Sequence, residues 1–329
     1  MITKRAFLSG ACAGGLATLS PGFRSRAEAQ PLHSAARMLV GSPPGAASDV
    51  VARLLVSEMK GYAANFVVEN RPGAGNRIAL DVLKGSATDG SVAALAPAGT
   101  LVIYPHVYRK LNYNPLKDFI PVTTVCDVSF VLTVGPTVPA HVQTLGDFIA
   151  WCKVNPGKAA YGTPGAGSVM HFTGMILARA ASFEFVHVPY PGPRTLQDVM
   201  GGQLAAAINS IGPALPHVQS GALRALATTG PHRSRLLSEV PTFKELGYPD
   251  LEAVEWFGVF APAKTTPEMV EKLNTAVRSA LQANEVALGL SKLSFQATGS
   301  TPDEFARLLK SDFARWGRIV EASGFKAED

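Results

Sequence analysis

Short apolar runs, glycine-rich turns and helically spaced segments follow one another along most of the chain. The run Met38-Leu39-Val40 leads into Gly41-Ser42-Pro43-Pro44-Gly45-Ala46-Ala47-Ser48, after which residues 49–59 place Val50, Leu54 and Leu55 at helical spacing. This pattern predicts a strand, a tight loop and a capped helix. The same order recurs with a strand at 66–68, the turn Asn70-Arg71-Pro72-Gly73-Ala74-Gly75-Asn76 and a helix near 78–84, and again with a strand at 91–95 before Pro97-Ala98-Gly99-Thr100. Farther on, 159–161 precedes Gly162-Thr163-Pro164-Gly165-Ala166-Gly167-Ser168 and a helix through 170–180. Residues 185–188 precede Pro189-Tyr190-Pro191-Gly192-Pro193 and a helix from Arg194, and 205–208 precede Asn209-Ser210-Ile211-Gly212-Pro213 and a short helix. Strands that alternate with helices predict largely parallel sheets, here in two α/β lobes.

No Ser/Gly linker or charge run divides these lobes. Two apolar segments, 128–134 and 255–260, instead read as strands that cross between them. The expected division is therefore 31–128 with 256–329 for the first lobe and 129–255 for the second. Near the end, residues 267–281 and 302–322 have apolar positions at a 3.6 period (Phe305, Leu308, Leu309, Phe313, Trp316, Ile319 and Val320), which predicts helices packed on the first lobe.

With 47% apolar and 17% charged residues over 329 positions, the composition is that of a folded protein, and no apolar run reaches the ~18–20 residues of a membrane-spanning helix. The net charge of +5 depends on the first 29 residues, where Lys4, Arg5, Arg24 and Arg26 face a single acid, Glu28. Setting those aside leaves 26 basic residues against 24 acidic ones, so nucleic acid is not an expected partner.

That segment, 1–29, reads as an export signal: a basic start, a small apolar stretch at 6–19, and Ala27-Glu28-Ala29 as a cleavage site before Gln30. Thr3-Lys4-Arg5-Ala6-Phe7-Leu8 resembles a twin-arginine signal with lysine in the first arginine's place, so the Tat and general secretory routes both stay open. Cys12 lacks the preceding leucine of a lipobox, which argues against lipidation. Cys126 and Cys152 would remain, either paired in an oxidising compartment or as two buried thiols.

Glycine-rich loops that open helices suit a small anion, because the first N–H groups of a helix are unpaired and lie at the positive end of its dipole. In a parallel sheet these turns share the carboxyl ends of the strands, so the loops of two lobes would face a common cleft. Enzyme motifs are incomplete. Gly73-Ala74-Gly75 and Gly165-Ala166-Gly167 each begin a dinucleotide fingerprint, but Ile78 and Met170 occupy the third glycine position, and no P-loop, HExxH or GxSxG is present. The histidines at 33, 106, 141, 171, 187, 217 and 232 lack metal-ligand spacing, and neither a metal nor a cofactor is expected. His171, three residues after Ser168, reads as a residue that fixes the loop rather than as a catalyst.

Six motifs run in order along the chain: Asn70-Arg71-Pro72-Gly73-Ala74-Gly75, Asp118-Phe119-Ile120-Pro121-Val122, His187-Val188-Pro189-Tyr190, Gly201-Gly202-Gln203, Val240-Pro241-Thr242 and Trp256-Phe257-Gly258. Their order and spacing, from about Met38 to Gly324, resemble the solute receptors of tripartite tricarboxylate transporters, the Bug-type (TctC) proteins. The resemblance implies a type II periplasmic-binding-protein fold, α/β in class, with two lobes that close on a small organic anion. In such receptors backbone amides, hydroxyls and bound waters hold the carboxylates more than salt bridges do. It further implies a monomeric periplasmic receptor, without a cofactor, that hands its solute to membrane transporter subunits. The same fold also serves sensors that dock on kinases, and a Tat-exported α/β enzyme is a third reading. The binding residues it implies are Ser42, Pro44, Gly45 and Ala46 in the first loop, Gly75 and Asn76 in the second, and Ala98 and Gly99 in the third. From the second lobe come Thr163, Gly165, Gly167 and Ser168 with His171, the turn at 189–192, and Asn209. Where the family has Pro-Phe and a double glycine in its first loop, this chain has Gly41-Ser42 and Gly45-Ala46; the second loop gains Arg77, and Asn209 replaces the usual acid. Arg77 and Arg194 are therefore either solvated or turned toward the cleft, with Arg77 as a rival carboxylate clamp.

Overall fold

The computed structural model describes residues 31–190 and 194–327. The expected export signal and the Pro191-Gly192 part of the turn after Tyr190 lie outside the described residues.

The chain begins β1 (His33–Val40), α1 (Ala47–Glu58), β2 (Ala63–Asn70), a single 3-10 turn (Ala74–Asn76), α2 (Arg77–Lys84) and β3 (Val92–Pro97). Two short helices, α3 (Ala98–Val102) and α4 (Tyr104–Val107), precede the long β4 (Phe119–Val134). There follow α5 (Leu145–Val154), β5 (Ala160–Thr163), α6 (Val169–Ala181), β6 (Val186–Pro189), α7 (Arg194–Met200), β7 (Ala206–Ser210), α8 (Ile211–Gln219) and β8 (Arg224–Thr228). The remaining elements are β9 (Val254–Pro262), α9 (Pro267–Leu281), α10 (Asn284–Lys292), β10 (Gln296–Ala297) and α11 (Pro302–Ser323). Of these, α3, α4, α5, β8, α10 and β10 have no counterpart in the expectation from sequence.

The strand order is β2-β1-β3-β9-β4-β7-β5-β6, with β8 and β10 also paired to β4. Strands β1, β2 and β3 run parallel to one another, as do β5, β6 and β7, in keeping with the strand-turn-helix repeat. The two crossing strands depart from it: β4 and β9 are antiparallel to each other and to β7 and β3 respectively. At about 3.3 Å per residue β4 is roughly 50 Å long. Such a strand can serve two sheets. Its part from Phe119 to Ser129 pairs with β9, and its part from Phe130 to Val134 lies between β7 and β8. Its register shifts just after Pro121, which has no N–H to offer the ladder.

Helices α9 and α10 pack on α1, and α11 packs on α3, α4 and β4. The 3.6 period of α11 resolves into a face: Phe305, Leu309, Trp316 and Val320 are buried while Leu308 is exposed. Phe305 meets Trp256 of β9 edge to face at 5.1 Å, and the Trp256 indole N–H donates to Asp312 at 2.8 Å. Cys126 on β4 and Cys152 on α5 are both free, buried thiols. No helix among the described residues is long and apolar enough to cross a membrane.

Candidate functional site

Three loops from the β1–β3 side form one wall of a cleft. In the first, Gly41 is required by a close approach: a Cβ there would lie 2.5 Å from the Asn76 Cα. The hydroxyls of Ser42 and Ser48 lie 2.6 Å apart, so one donates to the other and the second keeps its proton. The loop is pinned from beneath by Asp49, which accepts from the Gly45 N–H (2.9 Å), the Arg53 Nε (2.9 Å) and the Asn70 amide (2.8 Å). Burial alone would raise the Asp49 carboxyl, but the hydrogen bonds from Arg53, Gly45 and Asn70 and the Arg53 charge outweigh it and hold the pKa at about 2. The N-cap of helix α1 is Ala46, which supplies no side-chain acceptor, so the N–H groups of its first turn remain without an acceptor from the cap.

The second loop is a left-handed turn, with φ of 47° at Ala74, 62° at Gly75 and 73° at Asn76. Gly75 is also pressed on Tyr104, whose hydroxyl would lie 2.8 Å from a Cβ. Arg77, the rival clamp, is committed elsewhere: its guanidinium stacks 3.9 Å over the Tyr108 ring and its Nε donates to the Ala74 carbonyl at 2.7 Å. In the third loop the Thr100 hydroxyl donates to the Pro97 carbonyl at 2.7 Å. Burial first, and the neighbouring Tyr108 and Glu255 next, push the Tyr104 hydroxyl up to about 12, so it stays a neutral donor.

The opposite wall is the β5–α6 loop. Ser168 caps α6: its hydroxyl accepts from the His171 N–H at 3.2 Å and donates to the Gly165 carbonyl at 2.8 Å. His171 Nδ1 accepts from the Gly167 N–H at 3.1 Å, which puts the proton of the neutral ring on Nε2. The ring stacks 3.9 Å from His187, and His187 Nε2 lies 2.8 Å from the Thr163 hydroxyl. Burial lowers both imidazoles to about 4, with His171 adding to the effect at His187.

Where the walls meet there is a cavity of about 260 Å³. Ser42, Asn76, Gly99, Gly167 and Ser168 line it, as expected from the sequence, and the structure brings them together from four loops. Pro44, Gly45 and Gly75 are exposed on their loops, and with Ala46 they stand outside the lining. Ala98, Thr163 and His171 are buried behind the wall, and Gly165 is half-buried with open space around its Cβ position. Asn209 is buried on β7, its Oδ1 without a partner among the described residues. Arg194 is exposed at the start of α7.

The lining also holds Ala47, Ser48, Pro97, Thr100, Tyr104, Glu255 and Phe257, none of which is among the binding residues expected from sequence. Ala47, Ser48, Pro97 and Thr100 lie inside the glycine-rich loops that the sequence marks, and Phe257 lies inside the motif Trp256-Phe257-Gly258. Glu255 carried a signal of its own, as the single acid in the strand Val254–Pro262, and alternation along β9 puts it on the same face as Phe257. Its carboxyl packs on Gly99, where a Cβ would come 3.4 Å from Oε1. Burial lifts it to about 7, with the Gly99 N–H acting in the opposite sense. Among the described residues no group of three or more His, Cys, Asp or Glu could hold a metal ion. A larger, open groove of about 590 Å³ lies between α6 and α11, away from these loops, with apolar Met175, Ile176 and Ile319 beside Arg179, Arg315 and Arg318.

Neutral donors converging from several loop-to-helix turns on a small cavity are the arrangement expected of a solute-binding cleft. Residues 51–325 match the model of the tripartite tricarboxylate transporter family receptor. The chain belongs to this family. It is 33% identical over 293 residues to protein BugT of Bordetella pertussis, covering 88% of this chain and 89% of that protein. Among solved structures, R. palustris Rpa4515 with adipate is 28% identical with a TM-score of 0.77, covering 90% of this chain and 99% of the other. MatC (Rpa3494) from Rhodopseudomonas palustris with bound malate is 28% identical with a TM-score of 0.73, covering 88% and 99%. This receptor-family chain thus has the two-lobed α/β fold of periplasmic binding proteins, and its family is one of solute-binding receptors, not enzymes.

Proposed function

We propose that the chain is an extracytoplasmic receptor that captures a small organic acid in the 260 Å³ cavity and hands it to a tripartite tricarboxylate-type transporter. The observation that carries this reading is the meeting of the uncapped start of α1, with its Ser42–Ser48 hydroxyl pair, and the Gly167-Ser168 turn on one cavity. The cavity lies just below the ~300–1,000 Å³ usual for small-molecule sites, which suits a solute of few carbons. The adipate and malate carried by Rpa4515 and MatC are solutes of that size and class.

The lobes of this receptor would be 31–128 with 256–329 and 129–255, joined by β4 and β9, and the loops would close on the solute as a monomer. Export would follow cleavage before Gln30, and mass spectrometry of the secreted protein checks that point by its first residue. The reading is tested by thermal-shift screening of the mature chain against mono- and dicarboxylates, because a ligand that binds only the native state raises the melting temperature by mass action. A rise with one or more acids is expected. A flat response to all of them at millimolar concentration would count against the proposal.

A further inference from the structure

The residues that line the cavity contain no arginine, lysine or histidine. On the elements that carry the first wall, Arg77 lies over the Tyr108 ring, Arg53 pairs with Asp49 and Arg71 pairs with Glu69. One ionisable carboxyl does face the space, that of Glu255. It rests on the backbone of Gly99 and makes no salt bridge among the described residues. A receptor for simple dicarboxylates gains nothing from such a group, since each carboxylate of the solute needs a donor and an ionised Glu255 offers only acceptors. The donors stand on the walls: the free proton of the Ser42–Ser48 pair, the Tyr104 hydroxyl and the N–H groups of the first turn of α1.

We propose that Glu255 sets the specificity of this cleft, and that the solute carries a cationic nitrogen which pairs with Glu255 while its carboxylate is held by the loops. The preferred class is then an amino-carboxylate rather than a dicarboxylate of equal length. This rests on the receptor reading above. A carboxyl held half-buried with a backbone N–H on it but no cationic partner among the described residues is stabilised most by a group that brings both a positive charge and hydrogen-bond donors, and an ammonium brings both. Beside Glu255 the other titratable group in the lining is Tyr104, which burial keeps neutral, and the Gly99 N–H is the one polar backbone group on it. Ionisation of Glu255 therefore controls the charge of the cavity around neutral pH, and amino-carboxylate affinity should rise from pH 6 to pH 8.

Calorimetric titration of the mature chain with three matched pairs tests this: 4-aminobutanoate against succinate, 5-aminopentanoate against glutarate, and 6-aminohexanoate against adipate. The expected result is at least tenfold tighter binding of the amino acid in the best-fitting pair at pH 8. In Glu255→Gln, which keeps the shape and removes the charge, that preference should fall to within about twofold and lose its pH dependence, with the melting temperature of the free protein held or raised. A dicarboxylate that binds the wild type more tightly, with uptake of a proton, would overturn the assignment and leave the receptor reading standing, as would a preference that survives Glu255→Gln. If none of the six acids binds, the receptor reading for small organic acids falls and this assignment falls with it.

Discussion

The two walls of the cleft are shaped by opposite means. The first is held by a charge: buried Asp49 gathers Gly45, Arg53 and Asn70, while the start of α1 is left uncapped and one serine proton of the Ser42–Ser48 pair stays free. The second is held by neutral groups: stacked His171 and His187 fix Gly167 and Thr163, and the Ser168 hydroxyl is used in both directions within its own loop. Helices away from the cleft are closed by side chains as well, with full capping boxes at Thr144 of α5 and Thr301 of α11. The contrast teaches that presence in the lining does not make a residue a donor. What counts is which polar hydrogens the fold leaves unused, and on this criterion the first wall binds while the second is a shaped backing.

Acid should break the second wall first, and with the largest effect. Both imidazoles titrate near 4 in the fold against 6.5 when free, so the unfolded chain binds their protons first, and the stability present above pH 6.5 is lost as pH falls toward 4. The loss is on the order of 3 kcal/mol for each imidazole. Calorimetric melting between pH 7 and 4 should show it, and His187→Gln should flatten the slope. An equal slope in the variant would place the acid-sensitive groups elsewhere.

The difference in donors is sharpened by the double variant Ser42→Ala, Ser48→Ala. Either single change leaves one hydroxyl to serve the ligand, but the double change removes the last. With a charged acceptor such a bond contributes about 1.5–3 kcal/mol, so affinity for a bound carboxylate should fall by about ten- to a hundredfold. Titration calorimetry on the singles and the double decides, since equal effects in all three would show that the pair does not work as one donor.

The charged pin has its own pH window. The folded pKa of Asp49, near 2, lies below the ordinary 3.8, so its contribution is complete above about pH 4 and is lost as pH falls toward 2. Because Arg53 is exposed to solvent, roughly 1–2 kcal/mol is expected. In Asp49→Asn, urea melts at pH 7 should show that loss and the acid limb below pH 4 should shrink.

The smallest effect belongs to Ser168→Ala, which removes a cap costing about 1 kcal/mol of stability and should change ligand affinity less than the serine pair does. A tenfold loss of affinity there, with an unchanged melting temperature, would reverse the assignment of the two walls.

Much of this was legible in the chain. The turns at 41–48, 70–76, 97–100 and 162–168 identified four loops that line the cleft, because glycine and proline punctuation between apolar runs is a local property. The stripe of α11 from Phe305 to Val320 identified its buried face for the same reason. Within each loop the signal stopped. Gly45 and Ser42 look alike as loop residues, yet one is exposed and the other lines the cavity, and Arg77 looks like an anion clamp until Tyr108 takes its guanidinium.

The sequence by itself therefore determined the elements and the places where they turn, since helical period, strand alternation and turn chemistry need only neighbours along the chain. The tertiary structure alone decided which side chains share a space. Glu255 reaches Gly99 only because the order β1-β3-β9-β4 sets β9 beside β3, bringing residues more than 150 positions apart into contact, and Ser168 comes opposite Ser48 only because a single 16-residue strand carries the chain between the two sheets. Contacts of that sequence separation depend on sheet order and packing, which no local pattern encodes.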